Sequence, residues 1–401
     1  MLHTIGVVCE FNPFHLGHLE HLAQSRALLG GEELPVVCVM SGDFVQRGGP
    51  AVFDKHIRAR AAVLSGADLV FELPLPWCNA SAERFAMGAV GLLNSLGGVT
   101  HLSFGSESGD LAALTALALA AAEPENLANI KEQMAGGMSF AAAREMVLQA
   151  ALGPEAKLLQ KPNNILGVEY LKALFALNSS MIPVTTRRAG PGHDELMAAG
   201  PRRSAGQLRA MMEAGEEIDP YLPPAARKLP GQCRAAGRGP VTMADLEAAV
   251  LSRLRLLREE DFCALPDATE GLGNRLHRAV RQEATVEGIL SAVKTKRYPL
   301  SRLRRMVISG ALGLRAGMAE QAVPYARLLA SSERGRGLLR AMDGQSAVPI
   351  INKPASARRL EGQAREIFEL TAAARDFYVL GYEAPEERRG GSDWRTSPAI
   401  L

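Results

Sequence analysis

The chain has 401 residues, with 45 Lys and Arg against 43 Asp and Glu, 8 His and 5 Cys. That length exceeds one ordinary core and predicts two or three domains, and a hydrophobic content of 47% with 22% charged residues excludes a mostly disordered chain. No apolar run reaches the ~18 residues of a membrane span, no basic-then-apolar leader opens the chain, and Cys9, Cys38, Cys78, Cys233 and Cys263 include no C-x-x-C pair, which argues against a disulfide framework or zinc site and predicts a protein of the reducing cytoplasm.

In chain order, residues 4–9 form a short apolar run that ends in the turn-rich Asn12-Pro13 and predict a buried strand followed by a loop. Residues 18–29 read as a helix, with Leu19, Leu22 and Leu28 spaced for one face. Strand-like runs follow at 35–40, 67–72 and 100–104, separated by helices at 55–64 and 81–96. Strands that are apolar throughout and alternate with helices predict a parallel sheet covered on both faces, an α/β Rossmann-like domain. In such sheets the ligand lies outside the carboxyl ends of the strands.

After Gly200 the texture becomes helical. Residues 247–258, 272–289, 300–314, 323–341 and 357–380 read as helices, and 347–351 is the best strand-like run. The Gly/Pro-rich stretch 189–201 marks the boundary, giving regions 1–195 and 196–401. Residues 223–240 hold four prolines and three glycines and read as a surface connection, and the tail from 384 onward reads as frayed. Between Arg275 and Arg315 lie ten Lys and Arg against only Glu283 and Glu287, a local charge of +8 that leaves −6 for the rest. Such an excess is either the footprint of a polyanionic partner or a solvated helix face.

The segment that carries chemistry follows the first strand: Cys9-Glu10-Phe11-Asn12-Pro13-Phe14-His15-Leu16-Gly17-His18. His15-x-Gly17-His18 is the H-x-G-H pattern of nucleotidyltransferases and class I synthetases. A strand delivers the loop, and Gly17 leaves room for a nucleobase or ribose. The imidazoles sit near a helix N-terminus, which favours phosphate. As donors they stabilise charge while pyrophosphate leaves, so His15 and His18 are the expected catalytic pair.

Five further stretches occur in order with this one: Met40-Ser41-Gly42-Asp43-Phe44-Val45-Gln46-Arg47-Gly48, Phe71-Glu72-Leu73-Pro74, Phe104-Gly105-Ser106-Glu107, Lys161-Pro162-Asn163-Asn164-Ile165-Leu166-Gly167 and Thr295-Lys296-Arg297-Tyr298. Together they resemble the bacterial tRNA(Met) cytidine acetate ligase family, over most of the chain. The resemblance implies a nucleotidyltransferase domain that activates acetate with ATP to acetyl-adenylate, then passes the acetyl group to the wobble cytidine of elongator tRNA(Met). Its partners are then tRNA(Met), acetate and ATP, with Mg2+ arriving on the phosphates; no membrane is involved, and a homodimer is compatible. ATP is expected along Val7, Val8, Cys9, Glu10, Phe11, Asn12, Pro13, Phe14, His15, Leu16, Gly17 and His18, and at Gly105, Asn163, Arg187 and Arg188. Residue patterning alone reaches only an adenylate-forming enzyme with a basic partner surface. The alternative is a small-molecule nucleotidyltransferase whose helical half makes an oligomer, which leaves the basic segment unused.

Other residues admit two readings. Ser41, Gly42, Gln46 and Arg47 either meet a carboxylate or phosphate substrate or belong to a turn capped by Asp43. Lys55, His56 and Arg58 face either substrate or solvent. Asn163 is assigned to the nucleotide and Asn164 to the cap of the following helix, and Gly105 to backbone that the adenine lies against. His193-Asp194 is left open between a structural pair and an RNA contact. In Arg203-Ser204-Ala205-Gly206-Gln207-Leu208-Arg209, Ser204 and Arg209 suit phosphate, but Gly206 and Gln207 replace the hydroxyl or branched residues usual in such loops. For the RNA, Lys294, Lys296, Arg297, Arg302 and Arg305 are expected to hold phosphates while Tyr298 stacks on a base. No metal-ligand set stands out.

Overall fold

Residues 36–40 are Val, Val, Cys, Val and Met, and all five are fully buried. Val36, Cys38 and Met40 pack into one core and Val37 and Val39 into another. Period-two alternation with both faces apolar requires cover on both sides of the sheet. A computed structural model describes residues 3–188 and 203–401 and shows that cover. The boundary read at 195/196, Gly190-Pro191-Gly192 and His193-Asp194 lie outside the described residues.

Among the described residues the strands are β1 (Ile5–Cys9), β2 (Val36–Ser41), β3 (Phe44–Val45), β4 (Gly49–Pro50), β5 (Leu69–Leu73), β6 (His101–Ser106), β7 (Ile182–Arg187), β8 (Ala326–Ser331), β9 (Ile350–Ile351) and β10 (Ala399–Ile400). The main sheet runs β10-β8-β5-β2-β1-β6-β7, with β9 also paired to β8 and β3-β4 a separate hairpin. β5, β2, β1, β6 and β7 are mutually parallel, with Ile5 opposite Val36 on one side and His101 on the other. Strand succession reverses at β1. The crevice between the carboxyl ends of β1 and β6 is therefore the switch point, where doubly wound sheets take their ligands. Helices α1 (Leu16–Leu28) and α2 (Lys55–Leu64) cover one face, while α3 (Ala82–Ser95) and the Pro162–Ala176 helix cover the other.

The second half departs from its expected helices. Residues 323–341 divide into β8, antiparallel to β5, and a helix Glu333–Asp343 capped by Ser332. Ala, Leu and Arg in Ala326–Ser331 favour helix locally, and pairing with β5 overrides that preference. Residues 272–289 break into Leu272–Gln282 and Val286–Val293, with Thr285 capping the second. The 223–240 connection contains a helix, Lys228–Ala235. The tail is not frayed. β10 pairs with β8, the Leu401 amide donates to the Ser331 carbonyl at 2.9 Å, and Trp394 packs edge-on to Phe368. Strands from both halves therefore share one sheet.

A buried ionic cluster joins these pieces. Lys55 Nζ lies 2.8 Å from Glu72 Oε1 on β5 and 2.6 Å from Asp393 Oδ2 in the tail. Arg327 on β8 reaches the same two carboxylates at 3.3 and 2.7 Å. Lys55 thus faces neither substrate nor solvent; its side chain is wholly buried. Burial alone raises the Asp393 carboxyl, but Arg327 and Lys55 outweigh it and hold the group well below its ordinary value. Asp393→Ala leaves Lys55 and Arg327 sharing Glu72, with Asp43 at 3.8 Å from Lys55 as the other nearby carboxylate. It is expected to cost about 3–5 kcal/mol in denaturant unfolding, and a loss below ~1 kcal/mol would show that the tail is not anchored by this cluster.

Candidate active site

β1 ends at Cys9, and the chain turns through Glu10, Phe11 and Asn12 into α1. Phe11 adopts a left-handed φ of 46°, and the Asn12–Pro13 peptide is cis. One side chain fixes this turn. The Arg58 guanidinium on α2 donates to the carbonyls of Glu10 at 2.6 Å, Ser41 at 3.1 Å, Phe53 at 2.8 Å and Gly42. It is buried, so it is not the solvated helix residue allowed by its sequence position. Asn12 adds two ties: its Oδ1 accepts the Val52 amide at 2.8 Å, and its carbonyl accepts Arg209 Nη1 at 2.7 Å.

His15 caps α1. Its Nδ1 accepts the Gly17 amide at 3.0 Å, and His18 Nδ1 accepts the His15 amide at 3.2 Å, a reciprocal capping box built from two imidazoles. The rings stack at 3.8 Å between centroids. An Nδ1 that accepts a backbone N–H carries no proton, so each neutral ring holds its hydrogen on Nε2. Burial, with Arg188 beside it, lowers His15 to about 4. Burial followed by His15, Arg188 and His21 lowers His18 well below its ordinary value. Both rings are neutral donors through Nε2 at physiological pH. Gly17 also serves its neighbour: a Cβ there would sit 2.9 Å from His15 Cε1, so the glycine makes room for the histidine ring.

Across the switch point, Glu107 and Asn164 hold each other's backbone. Glu107 accepts the Asn163 amide at 3.2 Å, the Asn164 amide at 2.8 Å and Asn163 Nδ2 at 2.7 Å. Asn164 Oδ1 accepts the amides of Glu107 and Ser108 at 2.9 and 3.1 Å. The carboxylate of Glu107 therefore caps the Pro162–Ala176 helix, and Asn164 instead shapes the loop after β6. Arg188 Nη1 lies 3.4 Å from Asn163 Oδ1, and its stem crosses Gly105, where a Cβ would meet Arg188 Cγ at 2.9 Å. Gly105 thus admits the arginine stem rather than only an adenine. Arg187 is separate from this group and packs against Gly109. The sequence reading missed His21, whose Nδ1 lies 2.7 Å from Thr186 Oγ1 and ties α1 to β7. Burial, then Arg188, lowers it to about 4. Its position one turn after His18 on the same helix was the available signal.

Several expected contacts are corrected. The Val7 side chain lies in the sheet core, so any contact it makes is through its backbone. Ser41 is fully buried, and a Cβ at Gly42 would meet Glu72 Oε1 at 2.7 Å. The Gln46 amide donates to Glu10 Oε1 at 2.7 Å and its side chain to the Ala80 carbonyl at 3.3 Å. Of the four expected substrate residues only Arg47 is exposed. Ser204 caps the Ala205–Glu213 helix through Gln207. Tyr298 is buried and not offered to a base; Arg302 lies over its ring and donates to the Asp267 carbonyl and Thr269, Arg305 pairs with Asp267 at 2.8 Å, and Arg297 pairs with Glu270 at 2.6 Å. Lys294 and Lys296 are exposed. Among the described residues no group of three or more His, Cys, Asp or Glu is placed to hold a metal ion, and no helix is long and apolar enough to cross a membrane.

A profile described as HIGH Nucleotidyl Transferase matches residues 2–393. A relative named tRNA(Met) cytidine acetate ligase from Acetivibrio thermocellus is 34% identical over 99% of this chain and 100% of its own length. One of the same name from Caldanaerobacter subterraneus is 36% identical over 95% and 96%. The chain belongs to the tRNA(Met) cytidine acetate ligase family. The crystal structure of Thermotoga maritima TmcAL bound with alpha-thio ATP superposes at a TM-score of 0.92 and 32% identity, covering 100% of this chain and 99% of that one. Its apo form gives 0.93. In this chain the paired histidines stand at the switch point of the sheet.

His18→Ala removes one preorganised donor and is expected to slow acetate-dependent exchange of label between pyrophosphate and ATP by about 10²–10³. Loss of its share of the helix cap costs only about 0.5–2 kcal/mol of stability. Wild-type exchange in this variant would remove His18 from the reaction.

Proposed function

We propose that this chain uses ATP to activate acetate and transfers the acetyl group to the exocyclic amine of the wobble cytidine in elongator tRNA(Met). The observation that carries the reading is the pair of neutral Nε2–H donors at the switch point, opposite Arg188 and Asn163, in a chain that matches the ligase family end to end. In the first step an acetate oxygen attacks the α-phosphorus, and the bond to the β-phosphate oxygen breaks. His15 and His18 donate to the phosphate oxygens as charge moves onto the departing pyrophosphate, and the Arg188 guanidinium holds a second oxygen. Preorganisation matters here. Rings already fixed by backbone amides need no reorientation when charge develops.

In the second step the cytidine amine attacks the acetyl carbonyl, AMP leaves and the amine proton passes to solvent. An acyl-adenylate is activated enough for positioning to supply most of the rate. Asn163 is assigned to the nucleotide, with its Oδ1 already facing Arg188. The carboxylates nearest the site, Glu10 and Glu107, are taken up by backbone and amide donors. A Mg2+ ion would therefore arrive with ATP, held by the nucleotide rather than by these carboxylates, and would supply charge neutralisation at the phosphates. Residues 1–195 supply the ATP and acetate chemistry, and residues 196–401 supply most of the RNA surface. Lys294 and Lys296, exposed on that surface, support a polyanionic partner.

Incubation with ATP, labelled acetate and bulk tRNA is expected to place label in acetylcytidine after nuclease digestion. Without tRNA, label is expected only in acetyl-adenylate, with ATP–pyrophosphate exchange continuing. Transfer of label to a small molecule, or none to RNA, would overturn the proposal in favour of a small-molecule transferase.

A further inference from the structure

The basic segment separates into two populations. Arg275, Arg281, Arg297, Arg302, Arg305 and Arg315 all donate to protein carbonyls or carboxylates. Arg278, Lys294, Lys296 and Arg304 are exposed, and their side chains have no hydrogen bond or ion pair to any described residue. Arg304 differs from the other three in what lies beside it. It stands on the Leu300–Leu312 helix where that helix meets the loop joining β3 to β4. Gly48 has φ +79°, and a Cβ there would come within 2.3 Å of the Arg305 backbone nitrogen and 2.8 Å of Arg304 Cβ. Only glycine permits that approach. The residue before it is Arg47, also exposed, with no side-chain hydrogen bond or close ion pair among the described residues and its charge acting on Glu10 from a distance.

The junction is rigid. Asn79 Nδ2 donates to the Arg305 carbonyl at 3.2 Å and to Ser309 Oγ at 3.1 Å, while Gln46 Nε2 donates to the Ala80 carbonyl next door at 3.3 Å. Loop and helix are thus held by one turn, Trp77–Asn79 and the residue after it. The Gln46 amide in turn rests on Glu10 Oε1, at the end of β1. Arg47 and Arg304 thus flank one backbone junction, which Gln46 connects to the loop bearing His15 and His18.

We propose that Arg304 and Arg47 form a phosphate-binding patch that seats the RNA backbone beside the reacting cytidine. This rests on the tRNA reading above and gives it a path: the strand crosses the Gly48 junction. Arginine forks suit phosphate, and phosphate contacts fix register rather than sequence. The arginines bonded to Asp267 and Glu270 hold the helix that presents Arg304, which is why the densest part of the basic sequence is not itself the contact.

The test compares wild type, Arg304→Ala and Arg278→Ala, the last removing an equally exposed and unpartnered charge on a different helix. Affinity for tRNA is measured at several salt concentrations, with acetate-dependent ATP–pyrophosphate exchange on the same samples as a control on folding. Arg304→Ala is expected to weaken binding by about tenfold and to reduce the salt slope by about 1. Arg278→Ala is expected to change affinity by no more than about twofold, with exchange intact in both. Wild-type affinity and slope in Arg304→Ala, or an equal loss in Arg278→Ala, would overturn the patch. Failure of the wild type to acetylate tRNA would instead overturn the functional reading.

Discussion

One guanidinium organises the carboxyl edge of the sheet. Arg58 collects the carbonyls of Glu10, Ser41, Gly42 and Phe53, which belong to the ends of β1 and β2 and the segment entering α2. These carbonyls turn away from the strand ladder inside protein, where an unpaired acceptor is costly. Satisfying them with one rigid fork fixes the loop after β1 against the loop after β2. The direction of α1, and hence of His15 and His18, follows from that. The buried cluster of Lys55, Glu72, Arg327 and Asp393 does the same one layer further from the site, where it joins α2, β5, β8 and the tail. A chain with much of its sequence beyond residue 200 thereby closes onto a sheet begun in its first ten residues.

The histidine pair shows how structural and chemical duties can coincide. Nδ1 of each ring is used to cap α1, and that use determines what Nε2 can do. A cationic imidazole would bind phosphate more strongly but would lose the cap, because a protonated Nδ1 cannot accept an amide. Burial and Arg188 favour the neutral form, so the positive charge at the site comes from arginine and the histidines contribute orientation. Division of the work between fixed neutral donors and a separate cation suits a reaction in which charge moves from one phosphate to the next.

The first half of the fold was legible because its strands are apolar on both faces and its helices carry ordinary start signals. The H-x-G-H stretch, Arg188 and Asn163 were legible as types in context. What the sequence hid was set by distant partners. Lys55 and Arg58 open a helix and look solvated, and only the carboxylates and carbonyls brought by other elements show otherwise. Asn164 reads as a helix cap until Glu107, more than fifty residues away, supplies the cap instead. β8 is rich in helix formers and contains Arg327, so neither propensity nor pattern marks it as a strand. The Gly/Arg-rich tail gives no local signal that Asp393 is buried. Tyr298, flanked by cations, looks like a stacking platform, but packing places it inward and Arg302 covers it.

The central claim is that the site works through two neutral imidazoles with hydrogen on Nε2. It is tested most directly by long-range ¹⁵N–¹H correlation NMR of His15 and His18, assigned with single His→Gln variants, in the free protein from pH 8 down to pH 5. The expected spectra show an unprotonated Nδ1 and a protonated Nε2 for both rings throughout, with His15 beginning to titrate only as the pH approaches about 4. An imidazolium at pH 7, or hydrogen on Nδ1 of either ring, would contradict the account.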